Sequence, residues 1–425
     1  MCYYLDYTTQ SSGAPLVGVA AGAGTATGTG DSTFAAAEQK FAPVTSMAPV
    51  FEVFVVSLTM LGGSSLLVLA LATLQHQSPA PDPGASIDAL MAEYAKPGMP
   101  GASVLVIRDG RVAYMKGYGL ADVEKGSPVT GETDFRLASL SKQFTATAVM
   151  LLVADGRLRY DDSVAKLVPG LPAYARDVTI RQLLNHTGGL PDYEDFVPDS
   201  QTRQVHDDEI PALIAHASGT KFSPGTQYSY SNSGYVLLGL VVERASGKRF
   251  GDFLQERIFR PLGMTGTLAH EESRATVVPR RAFGYTVKAG TIRRTDQSNT
   301  SATLGDGGIY TSASDLAKWD RAIERHALVS ADAQRLAWTP PALPGGANTQ
   351  YGFGWFVDHD RGGLRLTHHG ESRGFTNAIV RYPDRRLTVV VLTNRTGGAS
   401  WTETDRTAGV PWTIAQQVAD PYLAP

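Results

Sequence analysis

Cysteine is all but missing from this chain. Its one copy, Cys2, excludes an intrachain disulfide and any cysteine-ligated zinc site. An excess of one charge sign is missing too: 38 Lys and Arg face 41 Asp and Glu, a formal net charge of −3. No basic run stands out, so nothing points to nucleic acid as a partner. What is abundant is apolar. Some 43% of the 425 residues are hydrophobic, enough for one large domain or two interleaved ones. So little cysteine suits an exported protein without disulfides, and a cytosolic one as well.

Charge disappears altogether between residues 53 and 74, "VFVVSLTMLGGSSLLVLALATL". A helix of that length spans a hydrocarbon core of ~30 Å. Three readings compete for 47–78: a membrane anchor, a cleaved export signal and a buried core helix. Met47 lacks the basic stretch that export signals favour, and Leu and Val on every face argue against an ordinary core helix. The expectation is an anchor or export signal, and a protein that works outside the cytoplasm, held in the membrane, periplasmic or secreted. Residues 1–46 read as low-complexity sequence or a mis-assigned start. Glycines 22, 24 and 28 only faintly mimic a phosphate loop, with no strand before them and no lysine after. "PAPDPG" makes 79–86 a linker, leaving 87–425 as the folded domain.

Within that domain, β-rich runs cluster at both ends. "ASVLVIRDGRVAYMKGYG" is two strands joined at Asp109-Gly110, a pair that accepts positive φ. Near the other end, "YGFGWFVD", "LRLTHHG", "FTNAIVRYP" and "RLTVVVLTN" are strand candidates, and a helix is expected over 413–418. Helical patterning runs from 141 to 154, with Phe144, Ala148, Leu151 and Leu152 on one side, and stops at Asp155-Gly156. Short helices and long loops fill 160–340. The expected fold is α/β of the α+β kind. An antiparallel sheet built from both ends is flanked by helices, with an inserted, mainly helical subdomain beside it. Ligand clefts favour such a junction.

Three short segments carry the chemistry. "LASLSKQFTA" sets Ser139 and Lys142 three residues apart, on one face of a helix start. There the helix dipole favours a developing alkoxide, but Lys142 must lose its proton from a reference pKa of about 10.4 to act as a base. Alone, the pair reads rather as an N-cap serine and a solvated lysine. "QYSYSNSGYVLLGLVVE" adds Tyr230, which can shuttle protons, and Asn232, which can donate to and accept from an acyl amide. "THHGESRGF" adds His368, His369 and Gly370 on a late strand, where a backbone N–H can complete an oxyanion hole with that of Ser139. Alone, these two are a turn and a hairpin strand.

Together, and in this order, the three segments resemble the motifs of the serine β-lactamase and penicillin-binding-protein superfamily. The chain is most similar to class C β-lactamases and DD-peptidase-like serine hydrolases. "TIRQLLNHTGGLPDY", "IFRPLGMTGT", "GGIYTSASDLAKW" and "YGFGW" extend the resemblance over roughly 87–394. It implies a β-lactamase/transpeptidase-like fold and roles at the matching positions. Ser139 would be the acylated nucleophile and Lys142 its base, with Tyr230 assisting acylation and deacylation. Asn232 would hold the acyl side chain, and His368 falls where many relatives carry a lysine. The N–H groups of Ser139 and Glu371, beside Gly370, would form the oxyanion hole.

The departures bear on substrate. A histidine gives less fixed positive charge than a lysine for gripping a carboxylate, and Glu371 adds negative charge that Arg373 offsets. The expected reaction is hydrolysis of an ester, an amide or a D-amino acid peptide bond, with efficient β-lactam turnover disfavoured. The rival reading is a sensor that binds peptidoglycan-like or β-lactam ligands without turnover. No cofactor, metal or nucleic acid is called for, and the sequence leaves oligomeric state open. "VDHDRGG" reads as a polar hairpin turn, because neighbouring strand residues face opposite ways. His186 reads as a loop-ordering residue, and "LGDGGIY" as a tight turn near the cleft.

Overall fold

The computed structural model describes residues 83–198, 200–270, 276–396 and 411–423, all within one unit, Pro81–Pro425. The readings for 1–46 and 47–78 lie outside the described residues. Among the described residues no helix is long and apolar enough to cross a membrane. Part of the expected linker is helical instead. Helix α1 runs Pro83–Leu90, because proline is tolerated in a first turn and Ile87 has a core to enter.

The ends of the domain do meet in one sheet. Strands β1 (Ala102–Arg108) and β2 (Arg111–Tyr118) form the expected hairpin, with Asp109 and Gly110 both at positive φ. The C-terminal strands are β3 (Phe356–Asp360), β4 (Gly363–Ser372), β5 (Phe375–Tyr382) and β6 (Leu387–Thr393). The order is β3-β4-β5-β6-β1-β2, antiparallel throughout, with Val104 opposite Val391 where the two ends join. Strand periodicity sorts the side chains into two cores. Ala102, Val104 and Val106 face one way with α1 and the C-terminal helix Pro411–Leu423, whose Ile414, Ala415 and Val418 are buried. Leu105, Ile107, Ile379, Val390 and Leu392 face the other, against the inserted helices. Both faces being covered explains why β1 reads as an almost continuous apolar run.

Two expectations change. Helix α2 (Lys142–Ala154) is buried from Lys142 through Leu152 on every side, not along one stripe. Its neighbours include helix α3 (Asn232–Ser246) and helix α4 (Ala313–Glu324), whose Trp319 packs on Phe144 and donates to Gln143, and no side of its first three turns meets water. "YGFGWFVD" is not a strand over its length. Gly354, at φ +77°, turns the chain, and a Cβ there would lie 2.9 Å from both the Lys142 carbonyl oxygen and Gln143 Cα. Only after this close packing does β3 begin.

Candidate active site

The serine is held in a strained turn against the sheet. Ala138 adopts φ +50°, rare for a residue with a side chain, and the 3-10 turn Ala138–Ser141 then runs directly into α2. The turn is tied from behind. Asn377 Nδ2, on β5, donates to the carbonyls of Arg136 (2.9 Å) and Leu137 (3.2 Å), while its Oδ1 accepts from Thr393 N–H. From the side, β4 approaches so closely that a Cβ on Gly370 would lie 2.1 Å from the Leu137 carbonyl oxygen. Glycine is therefore required there, and it brings the Gly370-Glu371 backbone alongside the turn that carries Ser139. Ser139 itself remains half-buried.

Lys142 projects from the first residue of α2 into a fully enclosed position. Its Nζ lies 3.0 Å from Ser139 Oγ, 2.9 Å from Asn232 Oδ1 and 3.0 Å from the Asp306 backbone oxygen. A neutral amine has two N–H bonds and one lone pair. Of these neighbours, Asn232 Oδ1 and the Asp306 carbonyl can only accept. When the amine is neutral they take both N–H bonds and leave the lone pair for the hydroxyl of Ser139. The geometry thus suits proton transfer from serine to lysine. The rings of Tyr230 and Tyr235 lie 4.9 and 5.5 Å from Nζ, with the Tyr230 hydroxyl oxygen shielded from solvent.

Asn232 stands at the head of α3, capped by Ser231, and its N–H donates 2.8 Å to buried Asp192. Its amide is committed in two directions, to Lys142 through Oδ1 and to Glu194 through Nδ2 at 3.3 Å. Burial raises the Asp192 carboxyl above its ordinary range. Burial, with Asp192 and Asp306 nearby, pushes Glu194 up to about 7. Asp192 stands at the close of the family-like segment "TIRQLLNHTGGLPDY" without a role assigned to it there, and Glu194 lies just beyond that segment. Each reaches the site from a loop far from Asn232 in sequence, which is why the motifs did not reveal them. "LGDGGIY" is a turn as expected, but it also supplies the Asp306 carbonyl to Lys142.

His368 does not present itself as a cation. It is buried, and its Nδ1 lies 2.7 Å from the His369 carbonyl, which can only accept. Nδ1 therefore carries the proton, and Nε2 accepts from the Tyr351 hydroxyl at 2.9 Å. Burial, then the charges of His369 and Lys142, hold His368 well below its usual pKa. Both ring nitrogens are occupied by the protein, so the ring fixes β4 against the "YGFGW" loop. Glu371, opposite Thr376 in the β4–β5 pair, keeps an exposed side chain, as does Arg373 in the following turn.

His186 orders its surroundings as expected. Held at φ +58°, it is buried against Tyr228, Tyr230, Tyr235 and Tyr351, and its Nδ1 accepts the Ser231 N–H at 3.2 Å. In "VDHDRGG", Asp358 pairs with Arg365 through both oxygens across the β3–β4 hairpin. No cluster of three metal-ligating side chains occurs among the described residues.

Comparison with known proteins agrees with this architecture. A family model described as Beta-lactamase matches residues 87–409. A penicillin-binding protein of Bacillus subtilis (strain 168) is 34% identical over 307 residues, covering 69% of this chain and 68% of its own. A D-aminopeptidase of Brucella canis is 30% identical over 320 residues; the match takes in 71% of this chain but spans only 57% of the relative's length. Among solved structures, D-amino acid amidase from Ochrobactrum anthropi SV3 superposes with a TM-score of 0.66 at 26% identity. That alignment covers 80% of this chain and 97% of the amidase.

Proposed function

The chain belongs to the β-lactamase family of serine hydrolases, and from that footing we propose that it hydrolyses an amide or peptide bond of a small D-amino acid substrate through an acyl-enzyme on Ser139. The approach of Lys142 Nζ to within 3.0 Å of Ser139 Oγ, beside Asn232 Oδ1 and the Asp306 carbonyl, which can only accept, is the observation that carries the proposal. Neutral Lys142 takes the hydroxyl proton as Oγ adds to the substrate carbonyl. The oxyanion is received by the N–H groups of Ser139 and Glu371. The proton then passes to the leaving amine, with Tyr230 beside Lys142 as the relay, and the C–N bond breaks. Water, deprotonated by the same lysine, cleaves the ester and returns the proton to Ser139 Oγ.

The relatives named as D-aminopeptidase and D-amino acid amidase support the amide class. Neutral His368 supports it independently, since a site selecting anionic β-lactams would gain from a cation at that position. Export follows the uncharged run 53–74, and fractionation that leaves the intact chain in the cytosol would refute it. The catalytic reading is tested with the full chain on D-alanine p-nitroanilide. Release of p-nitroaniline should vanish in Ser139→Ala, and turnover that persists there would sink the proposal. Covalent capture of a β-lactam without turnover of any amide would favour the sensor instead.

A further inference from the structure

Strand β4 loses one neighbour just where it enters the cleft. β3 pairs with it only as far as Phe356 opposite Thr367, whereas β5 accompanies it to Ser372. Phe356 is therefore the last side chain of β3 to lie against β4 before Gly370 meets the turn that carries Ser139.

Three rings line up at this point. Phe356 lies nearly parallel to Tyr230, with 7° between the planes and centroids 6.3 Å apart. It is also nearly parallel to His369, at 10° and 5.7 Å. Both separations suit offset stacking. Phe356 is held in turn by Tyr351, edge-on at 4.8 Å, and by His368 at 5.2 Å, which are themselves bonded at 2.9 Å. The series starts at Tyr230, whose ring lies 4.9 Å from Lys142 Nζ, and ends in solvent: Phe356 is half-buried and His369 exposed.

The acyl-transfer steps decide which half of a substrate meets these rings. Tyr230 hands a proton to the leaving amine, so that nitrogen lies within reach of its hydroxyl as the C–N bond breaks. The acyl carbon is by then fixed to Ser139 Oγ, with its oxygen toward the Glu371 N–H. The substituent on the leaving nitrogen is the part that extends past Phe356 and His369. Neutral His368, bonded within the protein through both ring nitrogens, gives a carboxylate on that substituent no charge to meet. Glu371, exposed on the same strand face as His369, opposes a carboxylate as well. A flat apolar group instead gains the Phe356 and His369 rings.

Resting on the Ser139 reading, we propose that Phe356 and His369 are the specificity-determining residues of a leaving-group subsite and receive a flat, uncharged aromatic ring carried on the leaving amine. The substrates are then D-amino acid amides of aryl or arylmethyl amines, in preference to peptides that end in a free carboxylate just beyond the scissile bond.

The test compares D-alanine benzylamide with D-alanine cyclohexylmethylamide, whose leaving groups are alike in size but only the first is flat, using the full chain. Wild-type protein should prefer the benzylamide in kcat/KM. In Phe356→Leu that preference should fall about 3–10-fold, the worth of an aromatic contact. Each chain meets the same two substrates, so the differing basicity of the two amines cancels from the comparison between chains. His369 is exposed, and its variants do not depend on refolding a core: His369→Ala should lose part of the preference and His369→Phe should keep it. A preference unchanged in either Phe356→Leu or His369→Ala overturns the assignment. So does a His369→Phe chain whose preference falls as far as that of His369→Ala. Phosphonylation of Ser139 by a fluorophosphonate, run in parallel, separates the two claims. A wild-type chain that takes no label refutes the Ser139 reading. A wild-type chain that is labelled yet cleaves neither amide, or prefers the cyclohexylmethylamide, refutes the leaving-group assignment alone.

Discussion

Lys142 Nζ and Asn232 Oδ1 stand 2.9 Å apart across 90 residues of sequence, and this contact decides which way the lysine lone pair faces. With Oδ1 and the Asp306 carbonyl both limited to accepting, the free electron pair of a neutral lysine is left to Ser139.

Asn232→Asp should exploit that geometry. A carboxylate in place of the amide puts negative charge beside Lys142, favours its charged form and raises the pH at which it becomes a base. Turnover near pH 7 should fall about 100-fold or more. It should recover as pH rises, which a pH–rate profile against wild type would show. Asn232→Leu has no such charge and should be impaired at every pH.

Gly370→Ala should be damaging out of proportion to one methyl group. The added Cβ would meet the Leu137 carbonyl at 2.1 Å, and the strand cannot retreat without moving the turn that bears Ser139. We expect a loss of about 1–3 kcal/mol in denaturant unfolding. In the fraction that remains folded, Ser139 should react more slowly with fluorophosphonate.

Tyr351→Phe should cost stability before it costs chemistry. The hydroxyl is the donor to buried His368 Nε2, and its removal strands that nitrogen away from water. We expect a loss of about 1–3 kcal/mol by chemical denaturation. A variant as stable as wild type would show that another donor serves His368.

Much of this site was legible because family motifs place reacting groups at fixed spacings. Ser139 and Lys142 needed only one helical turn, and Tyr230 and Asn232 arrive together at the start of α3. What escaped was long-range. Asn377 holds the serine turn from a strand 240 residues away, and Asp192 and Glu194 are single acids in a loop with no periodic pattern. His368 was identifiable by position, but its neutrality depends on Tyr351, which only the fold brings near. In the scaffold, the two ends of one sheet could be read from β-rich, nearly continuous apolar runs bounded by turn residues. The burial of α2 could not be, because a helix enclosed on all sides keeps polar residues such as Gln143 and Thr145 by bonding them internally to Trp319 and the Gly305 carbonyl.

The most direct test is mass spectrometry of the full chain after reaction with a fluorophosphonate. The account predicts one phosphonyl adduct, on the peptide containing Ser139. Ser139→Ala should take no adduct there, and Lys142→Ala should be labelled far more slowly. A folded wild-type chain that takes no label, or takes it at another residue, would contradict the assignment of Ser139 and Lys142 as nucleophile and base.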